Sequence, residues 1–343
     1  MQKIALVGCG MMGKVHFNAY SLLGKSGFEL KYISDVIEER AEKLSETSAG
    51  VRVADFEDIL YDEEITMLDI CTPTYEHKDM VIAAAERGKN VFCEKPIALK
   101  IEDSYEMVKI CKMNGVKLGI GHVTRYFPEY VKNLEIVKSG EIGKPVMARM
   151  YRGGVFPLRR PESDNWFNDV EKSGGVIVDL SIHDIDFSRQ LFGEVKSIDA
   201  RSAKLSYKNC PENFDHSMVL LRFKDGAIVH IEGAWSQPTA IPTGFKTSFE
   251  IYGTKGMVDY DSEKSTTFKL YTSVDSPEYS SMNVTGVNPY ALEIESFIDA
   301  LNNNKEIMPN GTEGLEALKI ALAANLSARE QRTVYMKELS FND

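Results

Sequence analysis

Two sets of residues in this sequence have the types and spacing for chemistry. The first would hold an anion. Gly8-Cys9-Gly10-Met11-Met12-Gly13 directly follows an apolar run and opens a helical pattern, the strand-turn-helix setting in which a GxGxxG spacing cradles a diphosphate. Gly8 permits a tight turn, Gly10 lets backbone N–H groups approach a pyrophosphate, and Gly13 lets the helix lie close to a sheet; Met11 and Met12 complete the loop. The helix N-terminus supplies partial positive charge to the anion. About 20 residues further on, Asp35 ends a second apolar run, where a carboxylate can accept from both hydroxyls of an adenosine ribose. Asp35 also repels a 2′-phosphate, and Val36 and Ile37 offer it no cation. NAD is therefore expected in preference to NADP, with Arg40 leaving dual use open.

The second set would move protons. Lys95, in Val91-Phe92-Cys93-Glu94-Lys95-Pro96, follows a strand-like run at the edge where open α/β sheets bind ligands. There a lysine can hydrogen bond a substrate oxygen and stabilise developing negative charge. Asp179 and His183, four apart in a helical pattern, should project from one face. A neutral histidine with a pKa of about 6.5 suits proton abstraction near neutrality. A structural histidine, or a metal shared with Asp186, is the competing explanation of that pair; no further His or Cys cluster supports the metal. His77 is expected to be structural, bracing the turn at Thr72 or a helix start.

These residues need a scaffold, and the first 120 residues supply its pattern. Strand-like runs at Lys3–Gly8, Glu29–Ser34, Met67–Cys71, Asn90–Cys93 and Lys117–Gly121 alternate with helical stretches such as Met80–Arg87 and Tyr105–Met113, the signature of parallel βαβ units. Beyond Gly121 the rhythm changes. A helical Glu129–Lys138 and a strand at Val146–Arg152 lead into an irregular stretch through Asp169. Then come a helix over Val176–Leu191, β-rich runs including Ser217–Phe223, Ile228–Trp235 and Lys246–Tyr252, and two closing helices, Ala291–Asn302 and Leu315–Glu330. The expected fold is thus α/β, with a doubly wound parallel Rossmann sheet over 1–123 and an α+β domain over 124–343 built on an open, mostly antiparallel sheet.

At 343 residues the chain has room for two domains of ordinary size, and its net charge of −11 argues against nucleic acid or anionic lipid as a partner. No apolar run approaches the roughly 20 residues of a membrane span. Because the first strand-like run starts at Lys3, no signal peptide is expected and the location is read as cytoplasmic. Cys9, Cys71, Cys93, Cys111 and Cys210 form no CxxC pair and are read as buried free thiols. No metal centre is expected.

Taken together, the glycine turn, Cys71-Thr72-Pro73-Thr74 with His77, Glu94-Lys95-Pro96, Gly140-Glu141-Ile142-Gly143-Lys144-Pro145, Gly174-Gly175 through Asp179 and His183, and Tyr252-Gly253-Thr254-Lys255-Gly256 resemble the Gfo/Idh/MocA family of NAD(P)-dependent sugar and polyol oxidoreductases. The blocks occur in the family's order and run nearly end to end. The resemblance implies that Lys95 is the catalytic lysine, preceding a cis proline peptide, with Asp179 and His183 completing the polar constellation. It implies that Thr72, Pro73 and Glu94 line the nicotinamide side, and that the second domain's open sheet covers the substrate and mediates oligomer contacts, in a homodimer or homotetramer.

The expected reaction is reversible hydride transfer between a secondary alcohol of a sugar, inositol or related polyol and NAD. Arg125, Tyr126, Trp166 and Trp235 are candidate substrate contacts, aromatic faces packing against the C–H faces of sugars. Either tryptophan could instead be core. Three alternatives stay open: a glycosidase using transient oxidation by a retained NAD, a non-catalytic sensor of NAD or sugar on the same fold, and a dehydrogenase of a non-carbohydrate substrate.

Overall fold

The alternating runs of the first 121 residues fold as β1 (Gln2–Val7), α1 (Met11–Leu23), β2 (Phe28–Ser34), α2 (Glu38–Ser45), β3 (Arg52–Val53), α3 (Phe56–Tyr61), β4 (Met67–Ile70), α4 (His77–Glu86), β5 (Asn90–Glu94), α5 (Ile101–Met113) and β6 (Leu118–Gly121). The computed structural model describes residues 1–24, 27–156, 166–205, 214–238, 240–241, 244–272, 278–283 and 285–339. All six strands pair in parallel in the order β3-β2-β1-β4-β5-β6, the doubly wound arrangement whose order reverses beside β1. Every residue of β4 and β6, and all of β5 after Asn90, is buried. Helices cover both faces of such a sheet, so its strands read as continuous apolar runs.

The chain continues through α6 (Pro128–Ser139), β7 (Pro145–Gly154), α7 (Val170–Ser173), a π-helical segment Ile177–Ser181, α8 (Ile182–Phe192), β8 (Val195–Ala203), β9 (His216–Phe223), β10 (Ile228–Ala234), β11 (Phe245–Gly253), β12 (Gly256–Asp261), β13 (Phe268–Thr272), β14 (Glu278–Met282), α9 (Pro289–Asn302), α10 (Gly311–Glu330) and β15 (Val334–Tyr335). A nine-stranded sheet runs β14-β13-β12-β11-β7-β10-β9-β8-β15. Its pairings are antiparallel apart from β7 with β10. In β9 every second residue is buried, the period of a sheet with one covered face. The fold class is the one the sequence predicts.

Two compact units form. One comprises Met1–Tyr126, Pro161–Trp166 and Val287–Leu318; the other comprises Phe127–Arg160, Phe167–Gly286 and Lys319–Asp343. The sequence divides the chain once, at 123/124, whereas in the structure Val287–Leu318 groups with the first unit. The reason is hydrophobic. Ala291, Ile294, Phe297 and Ile298 of α9 share a core with Ile4, Ala19, Tyr20, Met67 and Phe92, so α9 covers apolar sheet surface that would otherwise face water. Cys9, Cys71, Cys93 and Cys111 are buried and free, while Cys210 lies outside the described residues. No helix among the described residues is long and apolar enough to cross a membrane.

Candidate active site

In the first unit the carboxyl ends of β1, β2, β4 and β5 carry the expected cofactor residues. Gly8 takes φ +94°, and a Cβ there would come within 2.7 Å of the Cys71 carbonyl carbon. At Gly13 a Cβ would collide with the Gly8 carbonyl oxygen, whereas the space beside Gly10 is open to 4 Å. Gly10 is the N-cap of α1; no side chain caps that end, and no acid lies in its first turn. The turn is braced from below. Asp35 accepts from the Cys9 N–H at 2.6 Å and the Ile37 N–H at 2.8 Å, and the Gly8 N–H donates to the Ser34 carbonyl at 2.8 Å. An uncapped helix N-terminus containing Met11 and Met12, an open approach at Gly10 and a fixed carboxylate after β2 together fit a dinucleotide.

Replacing Gly13 by Ala forces the loop off this geometry. Overpacking of this kind costs about 1–3 kcal/mol, so NAD affinity measured by calorimetry should fall roughly 10- to 100-fold. Unchanged affinity would separate the loop from cofactor binding.

Thr72 and Pro73 follow β4, and Lys95 follows β5; all three are half-buried. His77 spans the two loops. Its ring nitrogens lie 2.9 Å from the Pro96 carbonyl oxygen and 3.0 Å from that of Thr72, and burial holds the imidazole below the ordinary histidine range. The Lys95–Pro96 peptide is cis. Glu94 is 5 % exposed, and its Oε2 accepts the Lys95 backbone N–H at 2.9 Å.

In the second unit Asp179 lies in the π-helical segment and is half-buried, and His183, 9 % exposed, sits in the first turn of α8. The pair therefore straddles a π–α junction, and the regular α-helical spacing read from the sequence is not what forms. Such single π turns recur at functional sites, because the extra residue redirects the side chains around it. Beside His183, Asp184 makes a bidentate pair with Arg152 of β7, Nε to Oδ2 at 2.9 Å and Nη2 to Oδ1 at 3.0 Å. Arg152 also donates to the Tyr130 hydroxyl at 2.7 Å. Lys95 belongs to the first unit, and Asp179 and His183 to the second.

Comparison with known proteins agrees with this geometry. Residues 2–122 match the model described as "Oxidoreductase family, NAD-binding Rossmann fold", and residues 130–259 match that of the GFO/IDH/MocA C-terminal domain. The chain belongs to the Gfo/Idh/MocA oxidoreductase family. It is 30% identical to an inositol 2-dehydrogenase of Rhizobium meliloti (strain 1021), over 97% of this chain and 98% of that one. It is 31% identical to the uncharacterized oxidoreductase YrbE of Bacillus subtilis (strain 168), over 94% and 93%. A levoglucosan dehydrogenase solved in complex with NADH shares the fold, with a TM-score of 0.87 at 23% identity, covering 98% of this chain and 99% of that one. As a family member the protein is an NAD-binding oxidoreductase.

The expected substrate contacts fare unevenly. Trp235 is 2 % exposed and packs edge-on against Phe156 and Phe167 at 5.2 and 6.1 Å, the core placement that the sequence left open as its alternative. Arg125 pairs with Glu313 at 2.8 Å, and the Tyr126 hydroxyl donates to the Met308 carbonyl at 3.1 Å. Trp166 packs edge-on against Tyr75 with ring centres 6.4 Å apart. Of the irregular stretch Gly153–Asp169, residues 157–165 lie outside the described residues.

Sequence reasoning passed over His16, Asp69 and Glu293, all fully or almost fully buried in the first unit. Asp69 did carry a signal, because an acid inside the apolar run Met67–Cys71 must find a partner once the strand is buried. Glu293, on α9, is 1 % exposed, and neither carboxylate oxygen has a hydrogen-bond partner among the described residues. Burial first, and the nearby Glu94 second, push its carboxyl well above the ordinary range, so it is carried neutral. The native state then binds a proton that the unfolded chain releases above its ordinary value of 4.5. Stability accordingly falls as pH rises, by about 1.4 kcal/mol per pH unit for this one proton. Glu293→Gln should remove that contribution, so the fall of stability with rising pH above about pH 5, followed by denaturant unfolding, should be shallower in the variant. An unchanged slope would mean that the carboxylate is ionised in the native protein.

Proposed function

We propose that this protein is an NAD-dependent dehydrogenase that oxidises a secondary alcohol of an inositol, sugar or related polyol, and reduces the corresponding ketone in reverse. The observation that carries it is a lysine, Lys95, held at the carboxyl end of β5 in the same sheet that carries the dinucleotide turn after β1. The inositol 2-dehydrogenase that aligns over nearly the whole chain supports the substrate class. Bound NAD supplies the hydride acceptor, and the protein supplies alignment and charge.

In this reading Lys95 hydrogen bonds the reacting oxygen and stabilises its negative charge. His183 takes the hydroxyl proton, and Asp179 orients substrate and histidine. Thr72, Pro73 and Glu94 shape the nicotinamide side, and Arg125, Tyr126 and Trp166 remain candidates for contacts to the polyol. We place the protein in the cytoplasm as a homodimer or homotetramer. Four buried free thiols support a reducing compartment.

The test offers NAD or NADP with a panel of inositols, hexoses, pentoses and sugar acids and follows absorbance at the NADH band. NADH formation with a cyclic polyol or sugar is the expected result. No NADH from any member overturns the reading, and release of free sugar without net NADH identifies a glycosidase instead.

A further inference from the structure

Asp69, near the end of β4, is 0 % exposed, and Glu94 ends the adjacent β5. From α1, His16 enters between them, itself 0 % exposed. Its Nδ1 lies 3.1 and 3.0 Å from the two Asp69 carboxylate oxygens, and its Nε2 lies 3.1 Å from Glu94 Oε1. A neutral imidazole has one N–H and one lone pair, whereas ionised carboxylates only accept. A ring with ionised carboxylate oxygens at both nitrogens can donate to both only when both nitrogens carry protons, and the Cys71 S–H, the other donor near Nδ1, has Asp69 Oδ1 as an acceptor at 3.6 Å.

The surrounding groups agree with that state. The Tyr20 hydroxyl donates to Asp69 Oδ2 at 2.9 Å, and Glu94 spends its other oxygen on the Lys95 backbone N–H at 2.9 Å. The Cys71 Sγ, 3.3 Å from Nδ1, is kept a thiol by burial. From α9, Tyr290 closes one side with its ring 6.3 Å from the imidazole, and Glu293 adds a neutral acid. Burial works against a charged ring, and Asp69 together with Cys71 outweighs it, so the imidazole is held well above the ordinary histidine range. Burial likewise works against an ionised Glu94, and the hydrogen bond and charge of His16 together with Lys95 outweigh it.

We propose that His16 is a positioning residue for the reaction: an imidazolium that ties the end of β4 to the end of β5 and so fixes the place and the electrostatic surroundings of the Glu94-Lys95 turn. The proposal rests on the reading of Lys95 as the reacting lysine. His16 acts through Glu94, whose two oxygens join the imidazolium on one side to the Lys95 backbone on the other.

Two measurements on the full chain test it. In protein labelled at its six histidines, nuclear magnetic resonance should show one ring that keeps both N–H protons from about pH 6 to about pH 9, and the signal should vanish in His16→Gln. If every histidine is neutral at about pH 8, the proposal fails, whether or not any substrate is known. In kinetics, His16→Gln should lower kcat about 100-fold while the Kd for NAD moves by less than about threefold. Its kcat–pH profile should gain an ionisation near neutrality, because Glu94 has lost the neighbouring cation, and His16→Lys, which restores a cation, should recover part of the rate. Wild-type kcat in His16→Gln, or a loss of rate with neither new ionisation nor rescue, overturns the positioning role. If the wild-type protein turns over no polyol, the proposed function fails, and the resonance measurement still decides the state of His16.

Discussion

Lys95→Ala should lower kcat by about 10²–10³ or more and leave NAD binding intact. Removing one preorganised donor from a developing oxyanion costs about 2.7–4 kcal/mol of barrier, and an ammonium should sit at the upper end because its hydrogen bond is charge-assisted. The cofactor turn does not depend on this side chain. It is braced by Asp35, Ser34 and the backbone of Cys71, and the Glu94 contact to residue 95 is to the backbone N–H, which alanine keeps. The check is stopped-flow turnover on a substrate found in the panel, alongside calorimetric titration with NAD. Wild-type turnover in the variant would remove Lys95 from the chemistry. Equal loss of NAD binding would assign it to the cofactor.

The second large effect is on stability. Asp184→Ala should destabilise the second unit by about 3–5 kcal/mol, because it removes the carboxylate that forms a buried bidentate pair with the Arg152 guanidinium. Arg152 is 6 % exposed and Asp184 2 %, and the guanidinium holds the carboxylate in a bidentate pair while also donating to the Tyr130 hydroxyl. Replacing both partners, as in Arg152→Met with Asp184→Leu, should recover most of the loss, since matched apolar residues often equal a buried ion pair. Denaturant unfolding of the two single variants and the double variant measures the coupling. Additive losses would show that the pair contributes no interaction of its own.

How much was legible in the sequence differs from residue to residue. Gly8, Gly13 and Asp35 were legible because their work is local. A turn of positive φ, a helix packed against its own strand and an acid at the next strand's end all lie within about 30 residues, at spacings set by βαβ geometry. His77 was legible as a brace for the same reason, since Thr72 is five residues away, although its second contact, at Pro96, was not. Trp235 stayed ambiguous because an aromatic at a strand end looks the same whether the next layer is ligand or Phe156 and Phe167. Asp179 and His183 were read on a regular helix, because insertion of one residue into a helical turn leaves no mark on a short apolar pattern.

By itself, then, the sequence determined the parallel α/β sheet, the dinucleotide turn and the lysine at the strand edge, all of which follow from hydrophobic period and short-range backbone sterics. Tertiary structure decided the rest. It returned α9 to the first sheet, set the Arg152 and Asp184 pair inside the second unit, and put His16 between two carboxylates that lie 53 and 78 residues away from it in the chain. Such choices depend on which apolar faces and buried charges meet, and a buried charge finds its partner by position in space, which spacing along the chain does not encode.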